Sequence, residues 1–259
     1  MHAATFVLST GRCGTQWLAW HLSRLMGPDA RVEHEPLHLA YQPRRLLGAS
    51  DPSALGPESA EPVLRHVASI EAQLERGPYV ETGHPSWSAL PYLAERLRGR
   101  LRVVHLPRHP LPTALSWTTH MAYQPPLLPH LQEKVLLSPF DAGVAFPEYQ
   151  ASWGSLTPFE KCLYYWAEVQ AFALRQQRAL GLPWLRLPYE ALFEGGGLDD
   201  LHAFLRLPVL ADDDRAERVD AHQHPAPGVP DFSLIARHPR VLEVAAELGY
   251  GPAKADRVR

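Results

Sequence analysis

The octapeptide Ser9-Thr10-Gly11-Arg12-Cys13-Gly14-Thr15-Gln16 stands between two segments of different period. Before it, Thr5 to Ser9 is a short apolar and β-branched run. After it, Trp17, Leu18, Leu22, Leu25 and Met26 fall at helical spacing. The pattern is strand, tight loop, helix. Such a turn aims several backbone N–H groups at one point, and the helix dipole adds roughly half a positive charge, so the turn can hold a phosphate or sulfate. Arg12, Thr15 and Gln16 can add side-chain donors. A plain tight turn would also use two glycines, but the flanking Arg and Thr and the place after a first strand favour an anion site.

Spacing narrows the anion chemistry. The ATP-binding pattern G-x-x-x-x-G-K-[ST] is absent, because Gly11 and Gly14 are too close together and no lysine follows Gly14. A C-x5-R phosphatase would need arginine six residues after Cys13, where Ala19 stands.

Outward from the loop, Gly27-Pro28 stops the first helix and Arg31 to His34 reads as a strand that delivers Glu35 and Pro36. Residues 43–62, rich in Pro, Ser, Gly and Ala, read as a surface loop. Tyr79 to Thr82 reads as a strand, Ser88 to Leu97 has helical spacing, and Leu101 to Leu106 is a strand followed by Pro107-Arg108 and a helix holding Ala114, Leu115 and Trp117. From Tyr123 to Trp153 no period is sustained, as expected of an irregular insertion or lid. Thr157-Pro158-Phe159-Glu160 has the form of a capping box, opening a helix that runs to Leu180 before Gly181. Trp184 to Leu187 reads as a strand leading to Tyr189-Glu190, and helices are expected over 198–205 and 239–248. Strands alternating with helices predict an α/β fold: a mainly parallel central sheet covered on both faces, with ligands at the carboxyl ends of the strands.

Gly11-Arg12-Cys13-Gly14-Thr15-Gln16-Trp17-Leu18 resembles the 5'-phosphosulfate loop, G-[RK]-S-G-T-T-W-L, of sulfotransferases that use 3'-phosphoadenosine 5'-phosphosulfate (PAPS), with Cys13 in place of serine and Gln16 in place of threonine. Leu106-Pro107-Arg108-His109-Pro110, with Ser116 eight residues after Arg108, resembles the same family's 3'-phosphate motif. Leu187-Pro188-Tyr189-Glu190-Ala191-Leu192 is similar to its late Y-E-D-L segment. The three segments occur in the family's order. The resemblance implies a P-loop NTPase-like sulfotransferase fold and transfer of a sulfonyl group from PAPS to a hydroxyl or amine, releasing PAP. It also implies a donor site of Gly11, Arg12, Cys13, Gly14, Thr15, Gln16 and Trp17, with Arg108 and Ser116 on the 3'-phosphate and Tyr189 near the adenosine. No counterpart of the family's basic R-K-G segment is found, and the last sixty or so residues match nothing in it.

Two residues are candidates for the base that takes the acceptor's proton. Glu35, in Glu33-His34-Glu35-Pro36-Leu37, resembles the E-P-L segment of carbohydrate and some bacterial sulfotransferases. His84, in Glu81-Thr82-Gly83-His84-Pro85, resembles less closely the K-T-H-x-P segment of the soluble small-molecule enzymes. The context of Glu35 matches better, so it is preferred. Arg12 would stabilise charge that develops on the leaving oxygen.

Composition sets the frame. A chain of 259 residues can bury a large core as a single domain, here with insertions near 36–78 and 121–156 that are expected to shape an acceptor pocket. Trp87, Trp117, Trp153 and Tyr123 are candidates to line it. A formal charge of -3 and a pI near 6.5 give no reason to expect nucleic acid or an anionic membrane as partner. Two cysteines make no disulfide framework, no apolar run spans a membrane, and a cytoplasmic location is expected. The pairs His34/His38 and His222/His224 lack the three or four converging ligands of a metal site, so no metal is expected. The acceptor, whether small molecule, carbohydrate or peptide, and the oligomeric state are not encoded in any motif. The alternatives are an ATP-dependent small-molecule kinase on a related phosphate-loop fold and a nucleotide-binding protein that has lost catalysis.

Overall fold

A computed structural model of the chain describes residues 2–49, 51–124, 129–194, 196–207 and 232–251. The pair His222/His224 lies outside the described residues. In chain order the elements are β1 (Ala4–Leu8), α1 (Thr15–Leu25), β2 (Arg31–His34), α2 (Pro43–Ala49), α3 (Pro57–Gln73), β3 (Tyr79–Thr82), α4 (Leu90–Leu97), β4 (Leu101–His105), α5 (Pro110–Thr119), α6 (Pro129–Lys134), α7 (Pro158–Leu180), β5 (Trp184–Arg186), α8 (Tyr189–Glu194), α9 (Gly197–Leu205) and α10 (Pro239–Glu247).

The strands form one sheet in the order β2-β3-β1-β4-β5, and every pairing is parallel. The period of two along β1 divides the core. Ala4, Phe6 and Leu8 face a large cluster that includes Val67, Leu93, Ala114 and Trp166 from α3, α4, α5 and α7. Val7 faces a smaller cluster with Leu18, Leu22, Leu192 and Leu201 from α1, α8 and α9. Apolar residues on both faces of a strand are what a central parallel strand requires.

Topology selects one crevice. The chain leaves β1 toward β2 and returns through β3, whereas from β4 it proceeds outward to β5. The carboxyl ends of β1 and β4 therefore flank the switch point, where open parallel sheets bind ligands. The loops that leave these two strands are those carrying Gly11–Thr15 and Arg108.

The 43–62 segment is not a surface loop. It folds into α2, a short 3-10 turn and the start of α3, with Leu46, Leu47, Leu55 and Ala60 in the core. Its prolines do not break structure: Pro43 and Pro57 each open a helix, the position where proline's missing N–H costs nothing. The 123–153 segment is largely irregular, as expected, but contains α6 and short 3-10 turns. It is pinned to α7 by Glu168, whose carboxylate accepts from the N–H groups of Ala145 and Phe146 at 2.7 and 2.8 Å. The capping box forms as read: Thr157 Oγ1 accepts from Glu160 N at 3.3 Å, and Glu160 accepts from Thr157 N at 2.9 Å. Gly181 closes the helix at φ 59°. Among the described residues, no helix is long and apolar enough to cross a membrane, and no three His, Cys, Asp or Glu side chains converge on a metal position.

Candidate functional site

The loop after β1 is wound into left-handed backbone at Gly11 (φ 77°), Arg12 (φ 60°) and Gly14 (φ 71°). The glycines are required for space as well as for conformation. A Cβ on Gly11 would stand 3.0 Å from the rings of His84 and Trp117, and one on Gly14 would stand 3.1 Å from Tyr189. Arg12 adopts the same region at a cost of about 1–3 kcal/mol. Its backbone is held by Arg108, which donates to the Arg12 carbonyl at 2.8 Å. Trp117 Nε1 braces the loop from behind, donating to Thr10 O at 3.1 Å.

Cys13 is buried and donates its thiol to Gly11 O at 3.1 Å. Burial raises its pKa, with opposing help from Thr10 and Arg108, so it serves as a small packing residue and not as a thiolate. Buried Thr15 and exposed Gln16 open α1. That helix has no side-chain cap and no acidic residue in its first turn, which leaves its positive end uncompensated.

Two guanidinium groups converge on this end. Arg12 Nε donates to Ser116 Oγ at 2.9 Å. Arg108 stacks over Tyr189, its Cζ 4.5 Å from the ring centroid. Arg108 and Ser116, read from the sequence as meeting on a common phosphate, each bond Arg12 here. Burial first, and then the nearby charge of Arg108, lower the pKa of Arg12. Among the described residues neither arginine has a carboxylate within salt-bridge distance. Like charges held together in partial burial are costly unless an anion joins them.

The Arg108 loop is braced by residues that sequence reasoning did not connect to it. Trp166 Nε1 donates to Arg108 O at 2.9 Å, and Tyr189 N donates to Pro107 O at 2.8 Å. Glu190 accepts from His109 N at 3.1 Å and from the Tyr250 hydroxyl at 2.9 Å, while the same hydroxyl lies 3.0 Å from Pro107 O. Beside the loop, Trp17 stacks on His21 with centroids 4.9 Å apart and tilts against Phe193 at 5.0 Å. His21 and His202 approach Nε2 to Nε2 at 3.1 Å, and burial holds the pKa of His21 down at about 4.

Glu35 and His84, alternatives in the sequence, are partners in the structure. Paired strands β2 and β3 end side by side, and Glu35 N bonds Thr82 O at 2.9 Å. Glu35 Oε1 then lies 2.9 Å from His84 Nδ1. The glycine that interrupts the histidine motif makes this possible: Gly83 has φ 136°, and a Cβ there would fall 2.3 Å from Glu35 Cγ. Burial by itself would raise the Glu35 pKa, but the hydrogen bond and charge of His84 outweigh it and hold the carboxyl at about 2. An ionised carboxylate only accepts, so His84 carries a proton on Nδ1. His84 Nε2 is buried with no hydrogen-bond partner, and the ring packs edge-on against Trp117 at 5.5 Å. Of the four aromatic residues expected to line a pocket, Trp87 and Trp117 are buried, whereas Trp153 and Tyr123 remain partly exposed.

No protein-family model and no curated protein sequence matches the chain. Solved structures do. A sulfotransferase domain from the curacin biosynthetic pathway aligns with a TM-score of 0.54 at 15% identity, covering 96% of this chain and 98% of that one. A sulfotransferase domain from the Synechococcus PCC 7002 olefin synthase gives 0.52 at 16%, covering 96% and 95%. A sulfotransferase from Alicyclobacillus acidocaldarius gives 0.50 at 17%, covering 98% of each chain. At such identities likeness speaks for architecture, and the architecture is the one the motifs imply: the chain has the α/β fold of the sulfotransferases, a parallel sheet flanked by helices.

Proposed function

We propose that this protein is a sulfotransferase that moves the sulfonyl group of PAPS to a hydroxyl or amine acceptor and releases PAP. The observation that carries this reading is the meeting of Arg12, Ser116 and Arg108 at the uncapped N-terminus of α1, near a histidine whose buried Nε2 has no hydrogen-bond partner. Two uncompensated guanidiniums and a helix N-terminus fit a ligand with more than one anionic group. The Arg108–Tyr189 stack and the Trp17 cluster next to it offer flat surfaces suited to a nucleoside.

Sulfonyl transfer is an in-line displacement governed by positioning and charge stabilisation. In this reading the loop N–H groups and Arg12 hold the 5' end of the donor and neutralise charge gathering on its leaving oxygen. Arg108 and Ser116 hold the 3'-phosphate, and Ser116 exchanges its bond to Arg12 for one to the ligand. We assign the base to His84 Nε2, which takes the acceptor's proton, and to Glu35 the fixing of the tautomer and the steadying of the imidazolium that forms. This exchanges the order of preference drawn from the motifs. A carboxylate held near 2 is a poor proton acceptor, whereas the imidazole has one nitrogen anchored on that carboxylate and the other without a hydrogen-bond partner.

Thermal-shift titration with PAP and with ATP–Mg tests the donor. PAP should raise Tm and ATP–Mg should not; the reverse outcome would replace the proposal with a kinase. Transfer of label from PAPS across phenols, sugars, tyrosyl peptides and amines then identifies the acceptor. PAP binding with no transfer to any class would leave a nucleotide-binding protein without catalysis.

A further inference from the structure

A cavity of about 260 Å³ opens between α2, the segment after α5 and the first turn of α7, lined in part by Arg44, Tyr123, Phe140, Trp153 and Lys161. Both segments read from the sequence as insertions contribute to it. Three features that packing of the fold alone does not require converge there. Phe140 leaves 63% of its surface in water, although burying a phenylalanine is worth about 1.5–3 kcal/mol. Tyr123 sits at φ 59°, strained for a bulky residue, with its hydroxyl on Leu137 O and its ring edge-on to Trp153 at 5.6 Å. Lys161 holds Nζ 5.1 Å from the centre of the Trp153 ring and, among the described residues, has no carboxylate partner.

The other cation in the wall is already compensated. Arg44 forks onto Asp141 at 3.0 and 2.6 Å and also donates from Nη1 to Gln132 O at 2.6 Å. Among the described residues, the cation of the cavity wall without a carboxylate partner is thus Lys161, set beside the ring of Trp153.

We propose that this cavity is a binding subsite for a flat ring bearing an anionic oxygen group, the ring against Phe140 and the anion on Lys161 Nζ. On the sulfonyl-transfer reading, on which this part rests, the ligand is the non-reacting end of an elongated acceptor. Helix α7 joins the two places. One turn beyond Lys161, Tyr165 packs edge-on against Trp117 at 5.7 Å, and Trp117 packs against His84 at 5.5 Å. Binding energy collected at a remote subsite of this kind can be used to orient the reacting hydroxyl.

Isothermal titration of the full chain with naphthalene-2-carboxylate, and separately with 2-naphthalenemethanol as its uncharged counterpart, tests the subsite without the donor. The carboxylate should bind saturably and about tenfold more tightly than the alcohol, the return expected from one charge-assisted contact. Lys161→Met should abolish that preference, Lys161→Arg should keep it, and Phe140→Ala should weaken both ligands. Absence of saturable carboxylate binding, equal affinities, or a preference that survives Lys161→Met would each overturn the proposal. A parallel titration with PAP separates the two readings. PAP binding without naphthoate binding removes the subsite alone, and naphthoate binding without PAP binding removes the donor assignment alone.

Discussion

The ends of β1 and β3 lie next to each other in the sheet, and both lead into strained, glycine-dependent turns, yet their electrostatics are opposite. After β1, Arg12 and Arg108 are brought together around a helix N-terminus, with no carboxylate within salt-bridge distance of either among the described residues. After β3, His84 is balanced within the protein by Glu35. On the function proposed above, the first region is completed by an anionic ligand and the second is a self-contained pair that passes a proton. On that proposal the two divide the work of group transfer: one holds charge that arrives from outside, the other manages a proton.

The largest test of that division is His84→Gln. Removing the base should lower turnover about 10²- to 10⁴-fold while leaving the affinity for PAP unchanged. Turnover close to the parent's would return the role to Glu35, and a matching loss of PAP affinity would show that the two regions are not separate.

Next in size is Arg108→Met. Loss of a charge-assisted contact worth about 1.5–3 kcal/mol should weaken PAP binding roughly 10- to 100-fold. The substitution relieves repulsion with Arg12 but also removes the bond to the Arg12 carbonyl, so Tm should change little. A clear fall in Tm together with unchanged PAP affinity would make Arg108 a structural residue.

The smallest effect is one of pH. Glu35 has its carboxyl at about 2 in the folded chain against an ordinary value of 4.5, so its pairing contributes stability that is fully present above 4.5 and is lost as pH falls toward 2. Urea midpoints measured from pH 5 down to pH 2.5 should therefore fall less steeply in Glu35→Gln than in the parent. Parallel curves would mean that the pair adds nothing to stability.

The parallel strands were legible because their cause is local. Tyr79–Thr82 is mostly aromatic and β-branched, Arg31–His34 is a polar strand marked by Gly27-Pro28 before it and Pro36 after it, and the Thr157–Glu160 capping box is chemistry within four residues. The 43–62 segment misled because proline and glycine mark helix starts as often as loops, and only burial of Leu46 and Leu55 decides between them. In the site, the glycine loop and Arg108 could be picked out by motif. Their true contacts could not. The Arg12–Ser116 bond spans 104 residues and the Glu35–His84 bond spans 49, and no local pattern encodes either. Gly83 looked like a defect in a histidine motif, and became meaningful only once Glu35 stood against it.

The tie from Tyr250 to Pro107 joins residues 143 apart in sequence, and this gives the site a timetable. At a synthesis rate of about 5–20 residues per second, the brace emerges roughly 7–30 s after the loop it supports. Tyr189, which bonds the same carbonyl, arrives well before it. During synthesis the Arg108 loop is therefore held first by its bond to Arg12 and the ties from Trp166 and Tyr189, and the Tyr250 brace is the last of the set to arrive.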